Sequence, residues 1–337
     1  MTQLSRRAIG RMTAGALAAP AIMRYAHAAE ITWRLGHSAS ATSPFHKLLT
    51  DASEAISKRS DGKMELAVVG EGRLGIPGGM LAQVRAGTLD MTVATYSQLA
   101  SNTPLCTIPA IGFLFGTYAK VWSSMDGALG QTIRAQAATE LGVELLEKTW
   151  DVGFREITSS TQQIRTAADM IGQKIRSHID SEQLEMFRSL GSVPIVVSLQ
   201  NLRKALEHHE IEGQEDLLQL VEYARLNEVQ RYCAMTRHHW EGLLLCISRN
   251  AWKTLPEKMQ RIVSNTFNGT APRQREEIVK LEETIRTSLT KKGMTFTEVD
   301  QASFREILRR DGYYRRLRDR LGAQTWTAIE QATGVSA

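Results

Sequence analysis

The sequence predicts an α/β protein of two lobes with mainly parallel sheets, joined by more than one crossing segment. Three observations carry that expectation. Strand-like alternation and helical periodicity follow one another from residue 31 to residue 208, a pattern that lays helices on the faces of a mostly parallel sheet. The 337 residues exceed what a single core usually organises. The chain also passes from residues 143–149 into 153–158 with no turn-rich linker, so the lobes are tied by segments that cross and not by a flexible tether.

Taken in order, residues 31–37 (ITWRLGH) alternate and close on Gly36, a strand leading into a loop. Pro44 and Phe45 open a helical run through Leu48, Ala52 and Ile56, which the Ser60-Asp61-Gly62 turn ends. Residues 63–69 read as the next strand. A helix then opens at Gly78-Gly79-Met80 and ends at Gly87, before a strand over 89–94. Helical stretches follow Pro109 as far as Leu141, with strand-like 143–149 and 153–158 after them. The second series has strands over 174–176 and 193–197 and helices over 181–190 and 201–208. From Leu255 the chain is helical and highly charged, with 295–299 its one clear strand.

The N-terminus reads as an export leader. Ser5-Arg6-Arg7 is a twin-arginine pair before a modest apolar stretch, 12–23, and Ala26-His27-Ala28 supplies the small residues of a cleavage site. Cleavage between Ala28 and Ala29 is expected. The apolar stretch falls short of the about 20 residues that span a bilayer, and no later segment qualifies, so the mature chain is expected not to be embedded in a membrane. Residues 1–28 hold Arg6, Arg7, Arg11 and Arg24 and no acid, so the count of 41 basic against 36 acidic residues becomes 37 against 36. The net charge of +5 therefore belongs largely to the leader, and a nucleic-acid partner is not expected. Cys106, Cys233 and Cys246 allow at most one disulfide, and free buried thiols are as compatible with the spacing as a Cys233–Cys246 pair.

The sharpest local signal is the segment 168–176 (ADMIGQKIR), followed by 211–216 (IEGQED). An arginine at the end of a short strand, here Arg176, can grip a carboxylate through two parallel N–H bonds, which lysine cannot reproduce. Competing motifs are weaker. Residues 70–75 (GEGRLG) formally match G-x-G-x-x-G, but Ile76-Pro77-Gly78-Gly79 stands between the run and helical periodicity, whereas a dinucleotide site needs the helix to begin within the glycines. Neighbouring histidines, His208-His209 and His238-His239, point apart on regular structure and make poor metal pairs. No metal or cofactor is expected. Arg315, Arg316 and Asp319 read as the wet face of a helix whose Leu317 and Leu321 pack inward.

These segments together resemble the solute-binding proteins of tripartite ATP-independent periplasmic (TRAP) transporters, the DctP-like family. The resemblance covers nearly all of the expected mature chain. It is carried by 73–75 (RLG), 86–91 (AGTLDM), Ile108-Pro109 with 113–115 (FLF), 153–155 (GFR), 168–176, 190–194 (LGSVP) and 212–215 (EGQE). It implies a periplasmic, two-lobed Venus-flytrap receptor, not an enzyme, with residues 29–152 plus 242–281 in lobe I and 153–241 plus 282–337 in lobe II. It also implies that Arg176 pairs with the carboxylate of an organic acid, that Arg155 adds a second cationic contact, and that the protein works as a monomer with small and large membrane subunits. Asp216 falls where relatives that bind acidic sugars often carry asparagine, while Gln214 and Glu215 hold the lobe or orient the arginine. Ser177-His178 and Arg203 depart from the family pattern. The remaining candidates for the ligand wall are Trp33, His37, Thr95, Tyr96, His238 and Trp240. A dinucleotide-dependent oxidoreductase and a sensor of the same fold stand as the rival readings.

Overall fold

Two long strands run through the centre of the molecule and explain how one chain makes two halves. The computed structural model describes residues 29–177 and 181–337; the expected leader and His178 lie outside the described residues. The strands are β1 (Ile31–Gly36), β2 (Met64–Val69), β3 (Met91–Thr95), β4 (Val143–Leu145), β5 (Trp150–Ser159), β6 (Lys174–Ser177), β7 (Val193–Val196), β8 (Gly213–Leu217), β9 (Tyr232–Ser248) and β10 (Thr295–Glu298). They form one continuous sheet in the order β2-β1-β3-β9-β5-β8-β6-β7, with β4 and β10 also pairing with β9.

Parallel pairs make up the flanks, β1 with β2 and β3 and β6 with β7 and β8, and β10 adds one more parallel pair on the central β9. Every antiparallel pair among the described residues involves β5 or β9. The expectation of mainly parallel sheets is thus refined. Each flank is parallel because helices connect its strands, and the crossing strands run against it because they return through the middle.

Helix ends follow their caps. The helix Pro44–Arg59 starts with Ser43 accepting a bond from the His46 amide and with proline at its first turn. The helix Pro77–Ala86 ends on Gly87 at φ 79°, the left-handed cap for which glycine is suited. The helix Glu257–Lys291 has 35 residues, about 52 Å at 1.5 Å per residue. Its early residues Val263 and Phe267 share a core with Trp33, Leu49 and Ile56. Its late residues Ile285 and Leu289 share another with Leu218, Val221 and Met294. It therefore clasps the back of both halves.

The last helices, Gln301–Asp311, Tyr313–Leu321 and Ala323–Thr333, do not stay on one side. Trp326 and Ile329 enter the same core as Val121, Met125, Leu129 and Ile133, and Ala332 O accepts bonds from Lys120 Nζ and Ser124 Oγ. The final helix, in the segment assigned to lobe II from sequence, packs on helices of the first half. Tyr313 and Tyr314 are buried with their hydroxyls on the Gly112 backbone, while Arg315 and Arg316 face water. All three cysteines are free and buried. Among the described residues no helix is long and apolar enough to cross a membrane.

Candidate functional site: a guanidinium and carboxylate cluster on the crossing strands

The cluster forms because β8 is squeezed between β5 and β6. A Cβ on Gly213 would lie 2.4 Å from Thr158 O and 2.9 Å from Ile175 Cδ1, so only glycine lets the three strands close up at that point. The register then sets Arg155 opposite Leu217, Ile157 opposite Glu215 and Arg176 opposite Gln214. Two arginines and two acids from three strands meet at one end of β8.

Arg155 is 7% exposed and Arg176 1% exposed, so each guanidinium must find its partners inside the protein. Arg155 donates through Nε to Glu215 Oε2 at 2.5 Å and through Nη2 to Glu215 Oε1 at 3.0 Å, a bidentate fork. Its Nη1 lies 3.1 Å from Asp216 Oδ1. Arg176 donates through Nε to Val197 O at 3.0 Å, and its Nη1 lies 3.5 Å from Asp216 Oδ2. Asp216 thus bridges the arginines, with its Oδ1 also accepting from the Leu217 amide at 2.8 Å. Arg155 is held tightly and Arg176 loosely: among the described residues the outer edge of the Arg176 guanidinium keeps N–H groups for another acceptor.

Burial alone would raise the Glu215 carboxyl, but the Arg155 charge and a contact from His238 hold it well below the usual carboxylate range. His238 Nε2 stands 3.7 Å from Glu215 Oε2, and its Nδ1 is 2.7 Å from Thr236 Oγ1. Burial lowers the affinity of His238 for a proton, with Glu215 opposing.

Next to this group, β9 aligns His239 opposite Arg155, and Glu241 two residues on opposite Gly153. Residues two apart on a strand share a face. His239 Nδ1 is bonded to Gln183 Nε2, and Gln183 Oε1 accepts from Ser177 Oγ at 3.3 Å. Glu241 receives the hydroxyl of Ser97 and, at 3.4 Å, the Ser97 amide. Ser97 lies in the short helix Tyr96–Ala100 that follows β3, so this contact ties the first half to the crossing strand. Burial raises the proton affinity of the Glu241 carboxyl against the Ser97 bonds.

Of the residues singled out from sequence, Arg155, Arg176, Asp216 and His238 come together. The others fall around them. Thr95 caps the helix Tyr96–Ala100 in a reciprocal box with Gln98. Tyr96 is buried with its hydroxyl 3.0 Å from Thr149 Oγ1 and its ring 6.1 Å from that of Trp240. Trp240 donates its indole N–H to Asp151 Oδ1 at 2.9 Å, which makes it an anchor of the central strands. Trp33 packs in the core beneath the helix Pro44–Arg59. His37, fully buried, pairs through Nε2 with His46 Nδ1 at 2.9 Å, and its affinity for a proton is lowered to about 4 by burial and by His46.

Arg203 lies on an exposed helix face, bound to Glu207 and Glu228. Residues 70–75 form turns, and the helix begins afterwards at Pro77, so the glycine run offers no helix N-terminus to a pyrophosphate. His208 and His209 are an exposed helix end. Sequence reasoning missed Ser97, Gln183, His239 and Glu241. The signal for His239 and Glu241 was their period-two spacing, which is visible only once β9 is known to be a strand.

The family model for "Bacterial extracellular solute-binding protein, family 7" (DctP) matches residues 35–315. The chain belongs to this family. Among relatives, the 2,3-diketo-L-gulonate-binding periplasmic protein YiaO of Escherichia coli is 25% identical over 276 residues, covering 82% of this chain and 84% of its own. A TRAP periplasmic solute-binding protein of Ochrobactrum anthropi, solved with its C-terminus in the ligand-binding pocket, superposes with a TM-score of 0.85 at 22% identity, covering 92% of this chain and 98% of its own. Another from Polaromonas, bound to D-erythronate, gives 0.75 at 24% identity, covering 91% and 99%. These solved structures show that the solute-binding protein has their mixed α/β fold.

Proposed function

We propose that this solute-binding protein is the extracytoplasmic receptor of a TRAP transporter and that Arg176 grips the carboxylate of an organic acid. The observation that carries the reading is the contrast between the two buried arginines. Arg155 is occupied by the Glu215 fork, whereas Arg176 has one backbone acceptor and one ion pair at 3.5 Å. A buried guanidinium with N–H groups to spare is poised for a planar, bidentate acceptor. The solved relatives with bound D-erythronate, galacturonate and succinate support the class of ligand.

In this reading the leader exports the chain to the periplasm, and residues 29–152 plus 242–281 close on 153–241 plus 282–337 around the acid. Ligand contacts from both sides stabilise the closed form over the open one. One charged hydrogen bond contributes roughly 1.5–3 kcal/mol and micromolar capture needs about 8 kcal/mol, so hydrogen bonds from the first half of the molecule and the exclusion of water supply the rest. The closed form docks on the small and large membrane subunits, and an ion gradient drives uptake.

Thermal-shift titration with a panel of organic acids tests the clamp. Wild-type protein is expected to gain stability with its acid, and Arg176→Lys to lose that gain while remaining folded. Micromolar binding retained in Arg176→Lys would sink the bidentate geometry.

A further inference from the structure

The charges around Arg176 narrow the solute beyond carboxylate recognition, the reading on which the narrowing rests. Arg155 and Arg176 bring two positive charges, and Glu215 and Asp216 bring two negative ones; all four are at most 7% exposed. Among the described residues the charges of these four side chains therefore balance before any ligand arrives. Glu241, also 7% exposed, sits two residues along β9 from the partner of Arg155. Among the described residues its hydrogen-bond partners are the neutral groups of Ser97, and His239 Nε2 stands 4.0 Å away.

A plain organic anion would add a negative charge to a balanced, desolvated cluster with a further acid beside it, and a dianion would add two. Inside a closed cleft such an excess is screened poorly. A solute that carries its own positive charge avoids the excess. Its carboxylate takes the open edge of Arg176, and its cation faces the acids that outnumber the guanidiniums.

We propose that the solute is a zwitterion of no net charge, one carboxylate held by Arg176 and an ammonium or quaternary ammonium group set against Asp216 and Glu241. In this arrangement Asp216 is the specificity-determining residue, because replacing it by asparagine leaves the cluster one positive charge in excess, the balance that suits a monoanion.

Isothermal titration of the purified protein with three classes of probe tests this. The zwitterions are L-serine, 4-aminobutyrate and glycine betaine, the hydroxylated monoanions D-erythronate and D-galacturonate, and the dianion succinate. At least one zwitterion is expected to bind the wild type about tenfold more tightly than any anion, and Asp216→Asn to weaken it about tenfold while strengthening the monoanions, in line with one charged contact. A gain of monoanion binding cannot come from misfolding. Tighter wild-type binding of erythronate, galacturonate or succinate overturns the zwitterion assignment and leaves the Arg176 clamp standing, as does an unchanged ranking in Asp216→Asn. Should Asp216→Asn fail to fold, Glu241→Gln must weaken the zwitterion and spare the anions, and equal weakening of both classes overturns the proposal. Unaltered binding of every probe by Arg176→Lys refutes instead the organic-acid reading beneath it.

Discussion

Two groups of buried acids sit on or beside the crossing strands, and the protein treats them in opposite ways. At the β8 end, Glu215 and Asp216 face guanidiniums at 2.5–3.5 Å. At the start of β5, Asp151 is bonded to neutral donors, the indole N–H groups of Trp122 at 2.6 Å and Trp240 at 2.9 Å, and its backbone N–H donates to Gln274 Oε1 at 2.7 Å. Nearby, Glu156 accepts from the Arg237 amide and Thr236 hydroxyl, and Glu282 presses on Gly153, whose φ is 123° and where a Cβ would lie 2.5 Å from the carboxyl. Burial outweighs the hydrogen bonds and the more distant charges of Arg275 and Arg237, and pushes Asp151 up to about 6, Glu156 to about 8 and Glu282 to about 7, while Glu215 is driven the other way. An acid that must stay ionised is given a guanidinium in direct contact; an acid at the crossing strands is given neutral hydrogen bonds and can carry a proton.

The largest expected effect comes from breaking the ionised group. Arg155→Ala leaves Glu215 buried and without its fork, and should cost about 3–5 kcal/mol of unfolding free energy, measured by denaturant titration. Loss of less than about 1 kcal/mol would mean that water or His238 replaces the arginine. The paired amide substitutions sharpen the contrast. Glu215→Gln weakens a charged fork and should cost about 2–3 kcal/mol, whereas Asp151→Asn gives up one indole bond and should cost about 1 kcal/mol. Equal losses would erase the distinction drawn between the two regions.

The pH profile separates them without mutation. Acids whose folded affinity for protons is raised contribute stability that is fully present below their unfolded values and is lost as pH rises through the folded ones. For Asp151, Glu282 and Glu156 that window runs from about 5 to about 8. Glu215 is depressed, so its contribution is present above its unfolded value and is lost only in acid. Buried His37 and His238, whose affinity for a proton is lowered, act in the opposite sense up to about pH 6.5, so the melting temperature of the ligand-free protein should fall between about pH 6.5 and pH 8, and the fall should shrink in Glu156→Gln. A rise between about pH 6.5 and pH 8 would show that Glu156 and Glu282 are ionised in the folded protein.

The two regions were unequally legible in the sequence. Arg176 could be picked out because it stands near the end of a short strand, and Arg155 only through the family resemblance, since it lies in the middle of β5; the flanking strands could be placed because apolar alternation and turn residues bound them. The strand β9 could not. Its first half carries Thr236, Arg237, His238, His239 and Glu241, and both of its faces are buried, so neither an apolar run nor a period-two pattern marks it. With β9 unread, Glu241 and Ser97 remained 144 residues apart and nothing in the local sequence joined them. Trp240, expected at the ligand wall, donates its indole N–H to Asp151, a partner 89 residues away that the local sequence could not supply. The packing of the last helix was not legible either, since Trp326 and Ile329 find their apolar partners on helices within 118–141, far back in the chain.

The smallest effect tests the boundary of the site. Arg203 stood out in sequence as a departure at a position where an aromatic is common, and its charge could have been enlisted for an acidic solute. Its guanidinium instead spans Glu207 at 2.8 Å and Glu228 at 2.7 Å on a surface where about two-fifths of it meets water. Exposed pairs of this kind gain little, because solvent screens them and two long side chains must be ordered. Arg203→Ala should leave both the melting temperature and the solute's dissociation constant unchanged within error, measured by thermal unfolding and titration side by side with Arg176→Lys. A weakened solute affinity in Arg203→Ala would extend the ionised group across helix Leu199–Glu207, and the charge balance that makes Asp216 decisive would then have to be counted again with a third arginine.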